Sequence, residues 1–150
     1  MKDSLNDNIN SIQILPYKRQ AMYYETDQMA IIHHSNYVRW FEEARINFLN
    51  QIDLKYDKLE EIGIMIPVLS VSLDYKSSVR FNDTVLITSA IELFNGVKMN
   101  IKYEIIDEAT GALRTTGESK HCFVDKCFKP VHMKRDFRDI YDKLLLYSNI

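Results

Sequence analysis

One stretch of the chain gathers groups that can do carbonyl chemistry: Glu25-Thr26-Asp27-Gln28-Met29-Ala30-Ile31-Ile32-His33-His34-Ser35-Asn36-Tyr37. It holds a carboxylate that can attack a carbonyl carbon or take a proton from water, two histidines, and the start of a helix. The first amides of a helix lack intrahelical acceptors and carry partial positive charge. They can therefore bind a carbonyl oxygen that becomes anionic during reaction. Asp27 lies a few residues upstream on the same connection, placed to attack that carbonyl or to activate a water beside it. The plainer account is that a loop aspartate caps a turn. His33 is read as a neighbour without a role, and His34 as acting through its amide, its ring, or both.

The helix that presents those amides runs from Asn36 to about Ile52. At 100° per residue Tyr37, Trp40, Phe41, Ala44, Phe48 and Ile52 fall within an arc of about 120°, which makes a buried face. Ser35 and Asn36 are suitable N-caps, and Glu42 and Arg45 stand one turn apart, able to pair. Glu42 and Glu43 read as a solvated or ion-paired face. Upstream, 17–25 reads as a first strand; downstream, a short helical turn over 55–62 is closed by Gly63.

After Pro67 the apolar period changes to two. Val85, Ile87, Ile91 and Leu93 share one face, and Val97, Met99, Ile101, Tyr103 and Ile105 alternate with Lys98, Asn100, Lys102 and Glu104. Asn95-Gly96 signals a hairpin, and Ala109-Thr110-Gly111 the next turn. Strands over 66–75, 83–94, 97–106 and 112–125 are expected to form a four-stranded antiparallel meander, followed by a helix over 133–147. The class that buries every amphipathic face is α+β, one antiparallel sheet curled around one long helix. Residues 1–12, polar and rich in Asn and Asp, read as a flexible arm before a single domain over 13–150.

Composition narrows the function. The 150 residues are 46% hydrophobic and 27% charged, with 19 basic against 21 acidic groups and a net charge of −2. A chain of this size buries about 68–70% of its unfolded surface without staples. Near-neutral charge removes the electrostatic reason to expect nucleic acid or an anionic membrane as main partner. No apolar run approaches a transmembrane span, and the start lacks an apolar signal region, so a soluble cytoplasmic protein is expected. The four glycines, at 63, 96, 111 and 117, exclude G-x-G-x-x-G and the P-loop, and G-x-S-x-G is absent.

Cys122, Cys127 and His132 form C-x4-C-x4-H. Three ligands without a second motif make a poor zinc site, so no metal is assigned and the cysteines are read as buried thiols on opposite faces of one strand. Lys76, Arg80 and Lys120 are candidates for contact with phosphates.

The blocks Tyr24-Glu25-Thr26-Asp27, His34-Ser35-Asn36-Tyr37 and Trp40-Phe41-Glu42-Glu43-Ala44-Arg45 resemble the hotdog-fold acyl-CoA thioesterases of the 4-hydroxybenzoyl-CoA thioesterase superfamily, nearest the Tol-Pal-associated type. Ile66-Pro67-Val68, Tyr75-Lys76 through Arg80-Phe81-Asn82-Asp83, Phe123-Val124-Asp125 and Lys129-Pro130-Val131 extend the likeness over roughly 17–132. The resemblance implies a hotdog subunit, a homodimer or homotetramer with sites at the subunit interface, and hydrolysis of acyl-CoA without a metal. Coenzyme A then enters as part of the substrate, and no cofactor is needed. It also implies catalytic roles for Asp27, as nucleophile or general base, and for His34, whose amide polarises the carbonyl; from their positions, Tyr37 is a candidate contact for the acyl group, and Lys76 and Arg80 for the phosphates of CoA. Ala30 stands where the family has Gly, and Ser78 where it has Pro. Ala30 leaves a non-catalytic binder of acyl-CoA or of acyl-carrier protein open beside the enzyme, and hydrolysis of carrier-protein thioesters is a third reading.

Overall fold

Apolar alternation after Pro67 forms one antiparallel sheet, and the helical stripe upstream lies against it. The computed structural model describes residues 12–148, so the expected arm falls, but for Ile12, outside the described residues. In chain order the elements are β1 (Tyr17–Gln20), a 3-10 turn over Tyr23–Glu25, α1 (Ser35–Gln51), α2 (Tyr56–Glu61), β2 (Val68–Tyr75), β3 (Thr84–Phe94), β4 (Lys98–Asp107), β5 (Leu113–Cys122), α3 (Met133–Asp136) and α4 (Arg138–Leu146). Among the described residues no helix is long and apolar enough to cross a membrane.

The strand order is β1-β3-β4-β5-β2, antiparallel throughout. Only β3, β4 and β5 form the expected meander. β1 occupies the free side of β3, with Tyr17 opposite Ile87, so β2 pairs with β5 at the far edge, Val71 opposite Ser119 and Tyr75 opposite Thr115. The β3–β4 hairpin closes as its residues dictate: Gly96 takes φ 86°, and the Asn95 side-chain oxygen accepts the Val97 and Lys98 N–H groups at 2.9 and 2.8 Å.

All six stripe residues of the helical segment are buried, as are Met99, Ile101, Tyr103 and Ile105 of β4. Each large side chain so buried is worth about 1.5–3 kcal/mol against exposure. Phe41 stacks on Tyr103 with centroids 4.3 Å apart, and a Cβ at Gly117 would run into the Phe41 ring. The helix therefore sits against β5 only because position 117 has no side chain.

Four expectations need correction. Leu93 is exposed because a bulge between Ile91 and Leu93 adds one residue and turns Phe94 inward instead. Val97 stays outside in the hairpin turn. The first strand stops at Gln20, where the chain bends into the 3-10 turn. The last helix breaks at Phe137, whose φ of −137° and ψ of 56° leave the helical region, giving α3 and α4.

A chain of buried polar groups crosses the interior from α1 to β5. Arg45 Nη1 donates to the Tyr103 hydroxyl at 3.2 Å, that hydroxyl and Ser119 Oγ lie 2.7 Å apart, and Ser119 Oγ is 2.6 Å from His121 Nε2. Burial, reinforced by the Arg45 cation, pushes the His121 pKa down to about 4 from 6.5. Below pH 6.5 the unfolded chain binds a proton that the folded imidazole does not, so stability is complete above that pH and falls as pH drops toward 4. Urea unfolding should show a loss of about 2 kcal/mol from this group between pH 7 and pH 5. His121→Gln should flatten the slope over that interval; an unchanged slope would remove His121 as its source.

Candidate active site

Glu25 is 3% exposed, and both of its oxygens are fully engaged. Arg19 Nη1 and Nη2 donate to Oε1 and Oε2, each at 3.0 Å; Trp40 Nε1 donates to Oε2 at 2.7 Å and the Met22 N–H to Oε1 at 2.9 Å. Its carbonyl accepts the His33 N–H at 2.8 Å and Asn36 Nδ2 at 2.9 Å. β1, the connecting loop and the first turn of α1 are thus fastened to one residue. Arg19 also donates through Nε to Glu43 at 3.0 Å, so Glu43 is ion-paired as expected.

The loop closes on itself. The Asp27 N–H donates to Ile31 O at 2.9 Å and the Ala30 N–H to Asp27 O at 3.0 Å, while the Ile32 N–H reaches Val79 O at 2.8 Å. Ala30 has φ 61°, the left-handed region where a Cβ is strained and glycine is at home. The turn forms nonetheless. Asp27 Oδ1 accepts the Met29 N–H at 2.8 Å, so the carboxylate does cap a turn, but Oδ2 has no hydrogen-bond partner among the described residues. Asp27 is half-buried and lines a cleft of about 200 Å³ with His34, Tyr37, Tyr75, Lys76 and Ser78.

The helix start supplies the donor. His34 is the N-cap residue and Ser35 the first helical one, so neither Ser35 nor Asn36 caps; Asn36 turns inward to Glu25. His33, expected to be idle, does the capping: its Nδ1 accepts the Ser35 N–H at 3.2 Å and lies 2.8 Å from Ser35 Oγ, and its ring stacks on that of His34. The amides at 33 and 35 are both engaged, whereas the His34 N–H between them has no acceptor among the described residues. Across the cleft, the Tyr75 hydroxyl donates to His34 O at 3.1 Å, and its ring meets Tyr37 edge-on at 5.2 Å. Burial raises the pKa of both tyrosines, which keeps their hydroxyls protonated at neutral pH.

Of the residues singled out from sequence, Asp27, His34, Tyr37 and Lys76 line the cleft. Arg80 and Lys120 do not: Arg80 is exposed on the turn before β3, its N–H held by Asp83 at 2.9 Å, and Lys120 is exposed on β5 opposite Ser70 and Asn100. Glu42 and Arg45 form no ion pair within 4.0 Å among the described residues, since Arg45 points inward to Tyr103. β5 ends at Cys122, which is half-buried, so Cys127 is not on that strand; it lies exposed in a turn where Asp125 Oδ1 accepts its N–H at 2.8 Å. A larger depression of about 620 Å³ lies beside α2 and α3; there Arg135 pairs with Asp136, and Asp125 Oδ1 accepts the Cys127 and Lys129 N–H groups. Sequence reasoning missed Glu25, Arg19 and Tyr75. The available signal was Trp40, a buried indole whose N–H needs an acceptor.

Relief of the strain at position 30 is measurable. Ala30→Gly should raise stability by about 0.5–1 kcal/mol in urea unfolding, and a loss would mean that the left-handed turn costs nothing here.

Residues 23–139 match the family model described as the thioesterase-like superfamily. YneP of Bacillus subtilis (strain 168), provisionally named an acyl-CoA thioesterase, is 34% identical over 121 residues, 80% of this chain and 87% of that protein. The crystal structure of the DHNA-CoA thioesterase from Staphylococcus aureus superposes with a TM-score of 0.82 at 32% identity, covering 87% of each chain. A hypothetical protein from Aquifex aeolicus superposes with a TM-score of 0.78 at 29% identity, over 85% of this chain and 97% of that one. Five antiparallel strands packed with one long helix match the hotdog fold of these solved structures, and the chain belongs to the thioesterase-like superfamily as a thioester hydrolase of that fold.

Proposed function

We propose that this protein hydrolyses acyl-CoA thioesters to the free acid and CoA, with Asp27 as nucleophile or general base and the His34 amide as oxyanion donor. The observation that carries the reading is that the uncommitted His34 N–H and the uncommitted Asp27 Oδ2 belong to residues lining one cleft. The names of YneP and the Staphylococcus enzyme support the same substrate class.

In this mechanism the thioester oxygen accepts the His34 N–H, and the helix N-terminus stabilises the negative charge that develops on it. Asp27 then follows one of two routes. Attack by Oδ2 on the carbonyl carbon breaks the C–S bond, releases CoA thiolate and leaves an acyl-aspartyl anhydride that water cleaves. Alternatively Asp27 takes a proton from water, whose oxygen attacks the same carbon. Both routes consume one water and return acid and thiol. The thiolate is a good leaving group near neutral pH, so no strong acid is required. Lys76, exposed at the cleft, offers a cation to the phosphates of CoA, and Tyr75 steadies His34 from the carbonyl side. The same reading has the protein working as a homodimer or homotetramer; β2, an edge strand with Val68, Leu69 and Val71 exposed, is an open edge for that assembly.

A thiol-release assay over short, medium, long and aromatic acyl-CoAs should show turnover. Asp27→Asn, with an unchanged circular dichroism spectrum, should lower kcat by about 10²–10⁴-fold. Parental activity in that variant would overturn the role of Asp27, and acyl-CoA binding without release by the parent protein would favour the non-catalytic binder.

A further inference from the structure

The small net charge of −2 conceals a local surplus of the opposite sign. From Asp125, in the loop after β5, to Asp136 at the end of α3, four basic residues (Lys126, Lys129, Lys134 and Arg135) stand against two acidic ones, a net charge of +2. The carboxylates of this region are already engaged. Asp136 pairs with Arg135, Asp125 Oδ1 accepts two turn amides, and Glu61, across the depression beside α2 and α3, pairs with Lys58 at 3.4 Å. Lys126, Lys129 and Lys134 are exposed, and among the described residues none of them has a carboxylate within ion-pair distance.

An apolar side chain stands among these cations. Phe128, between Lys126 and Lys129 in the chain, is 70% exposed and takes φ 61°. Asp53 and Asn82 also have positive φ, but Asp and Asn tolerate the left-handed region, whereas a bulky side chain is strained there. The turn holds Phe128 in place regardless: the Asp125 N–H donates to Lys129 O at 2.8 Å and the Phe128 N–H to Asp125 O at 2.9 Å. Its base is tied to the core through Val124, which is buried and bridges to both Met65 and Pro130. Backbone strain that the surroundings maintain points to a use, and what is maintained here is a ring held out into water. Because the turn is already ordered, little conformational freedom is lost when the ring binds.

The charges decide what the ring meets. A two-fold contact between copies through this turn would set Lys126 and Lys129 against their own counterparts, and like charges so opposed are repelled. A protruding ring with a lysine on either side is instead complementary to a bilayer that carries anionic lipid. The ring enters the boundary between headgroups and acyl chains, the lysine stems lie along it, and their ammonium groups stay with the phosphates. Ile62, 51% exposed, lines the same depression as Lys126, His132 and Arg135 and adds apolar surface beside the turn.

We propose that the turn from Asp125 to Lys129 docks the protein on membrane surfaces rich in anionic lipid, with Phe128 as the inserted side chain and Lys126, Lys129 and Lys134 as the contacts to headgroup phosphates. Docking at this place leaves the cleft open. β5 runs from Thr115, the register partner of Tyr75 in the cleft wall, to Cys122 just before the turn, about 23 Å of strand. The surface therefore acts apart from the reaction centre, and the proposal does not depend on the thioesterase reading.

Flotation of the full chain with vesicles of phosphatidylcholine and phosphatidylglycerol in equal parts, against vesicles of phosphatidylcholine alone, tests this. The parent should bind the mixed vesicles at least about tenfold more tightly than the neutral ones and lose that advantage at high salt. Phe128→Gly places at φ 61° the residue at home there, so the fold is kept while the inserted ring is lost, and binding should fall about tenfold. Lys126→Glu combined with Lys129→Glu should abolish binding, since each reversal removes an attraction to the lipid phosphates and adds a repulsion. No binding of the parent to the mixed vesicles, or equal binding to both kinds, would overturn the proposal. A Phe128→Gly variant that binds as tightly as the parent would do the same. So would a smaller assembly of Phe128→Gly in sedimentation without vesicles, because a second copy of the chain would then be what covers the ring.

Discussion

A single buried carboxylate holds the working end of this molecule together. Glu25 is neutralised by Arg19, braced by the Trp40 indole and the Met22 amide, and its carbonyl receives the His33 amide and the Asn36 side chain. Removing one partner from such a pair commonly costs about 3–5 kcal/mol, while the intact pair adds little net stability over an apolar substitute. Its value here is geometric. Strand, loop and helix all contribute anchors, so the loop that bears Asp27 cannot shift without breaking bonds to the helix that bears the His34 amide.

In the proposed mechanism that rigidity is what lets a backbone group act as the oxyanion donor. An oxyanion donor works only if it is already aimed and has nothing else to bond, since reorganisation during the reaction would consume the gain. His34 meets this condition because His33 takes over the capping of the helix, Glu25 takes the amide before it, and Tyr75 holds the carbonyl after it. Asp27 divides its duties in the same manner, one oxygen committed to the turn and the other left open. The strained Ala30 is tolerated because hydrogen bonds on both sides of it fix the loop.

The parts of this design that depend on local periodicity were legible in the residues. The stripe from Tyr37 to Ile52, the Asn95-Gly96 hairpin and the alternation of β4 needed only helix and strand geometry. Strand order was not legible, because β1 claims the edge of β3 that chain proximity would assign to β2. The Leu93 bulge and the break at Phe137 are set by tertiary packing, which overrides a pattern that continues smoothly through both. Asp27 and His34 stood out through their types and their place before a helix. Glu25 did not, since a glutamate two residues before Asp27 gains its meaning only when Arg19 and Trp40 arrive from other elements.

The most direct test is to watch the His34 amide, which has no acceptor among the described residues. In ¹⁵N–¹H correlation spectra, adding a non-hydrolysable acyl-CoA analogue with an intact carbonyl should move the His34 amide proton downfield more than those of His33 and Ser35, and Glu25→Gln should diminish that shift. A His34 resonance that stays still while the cleft fills would contradict the role given to the helix N-terminus.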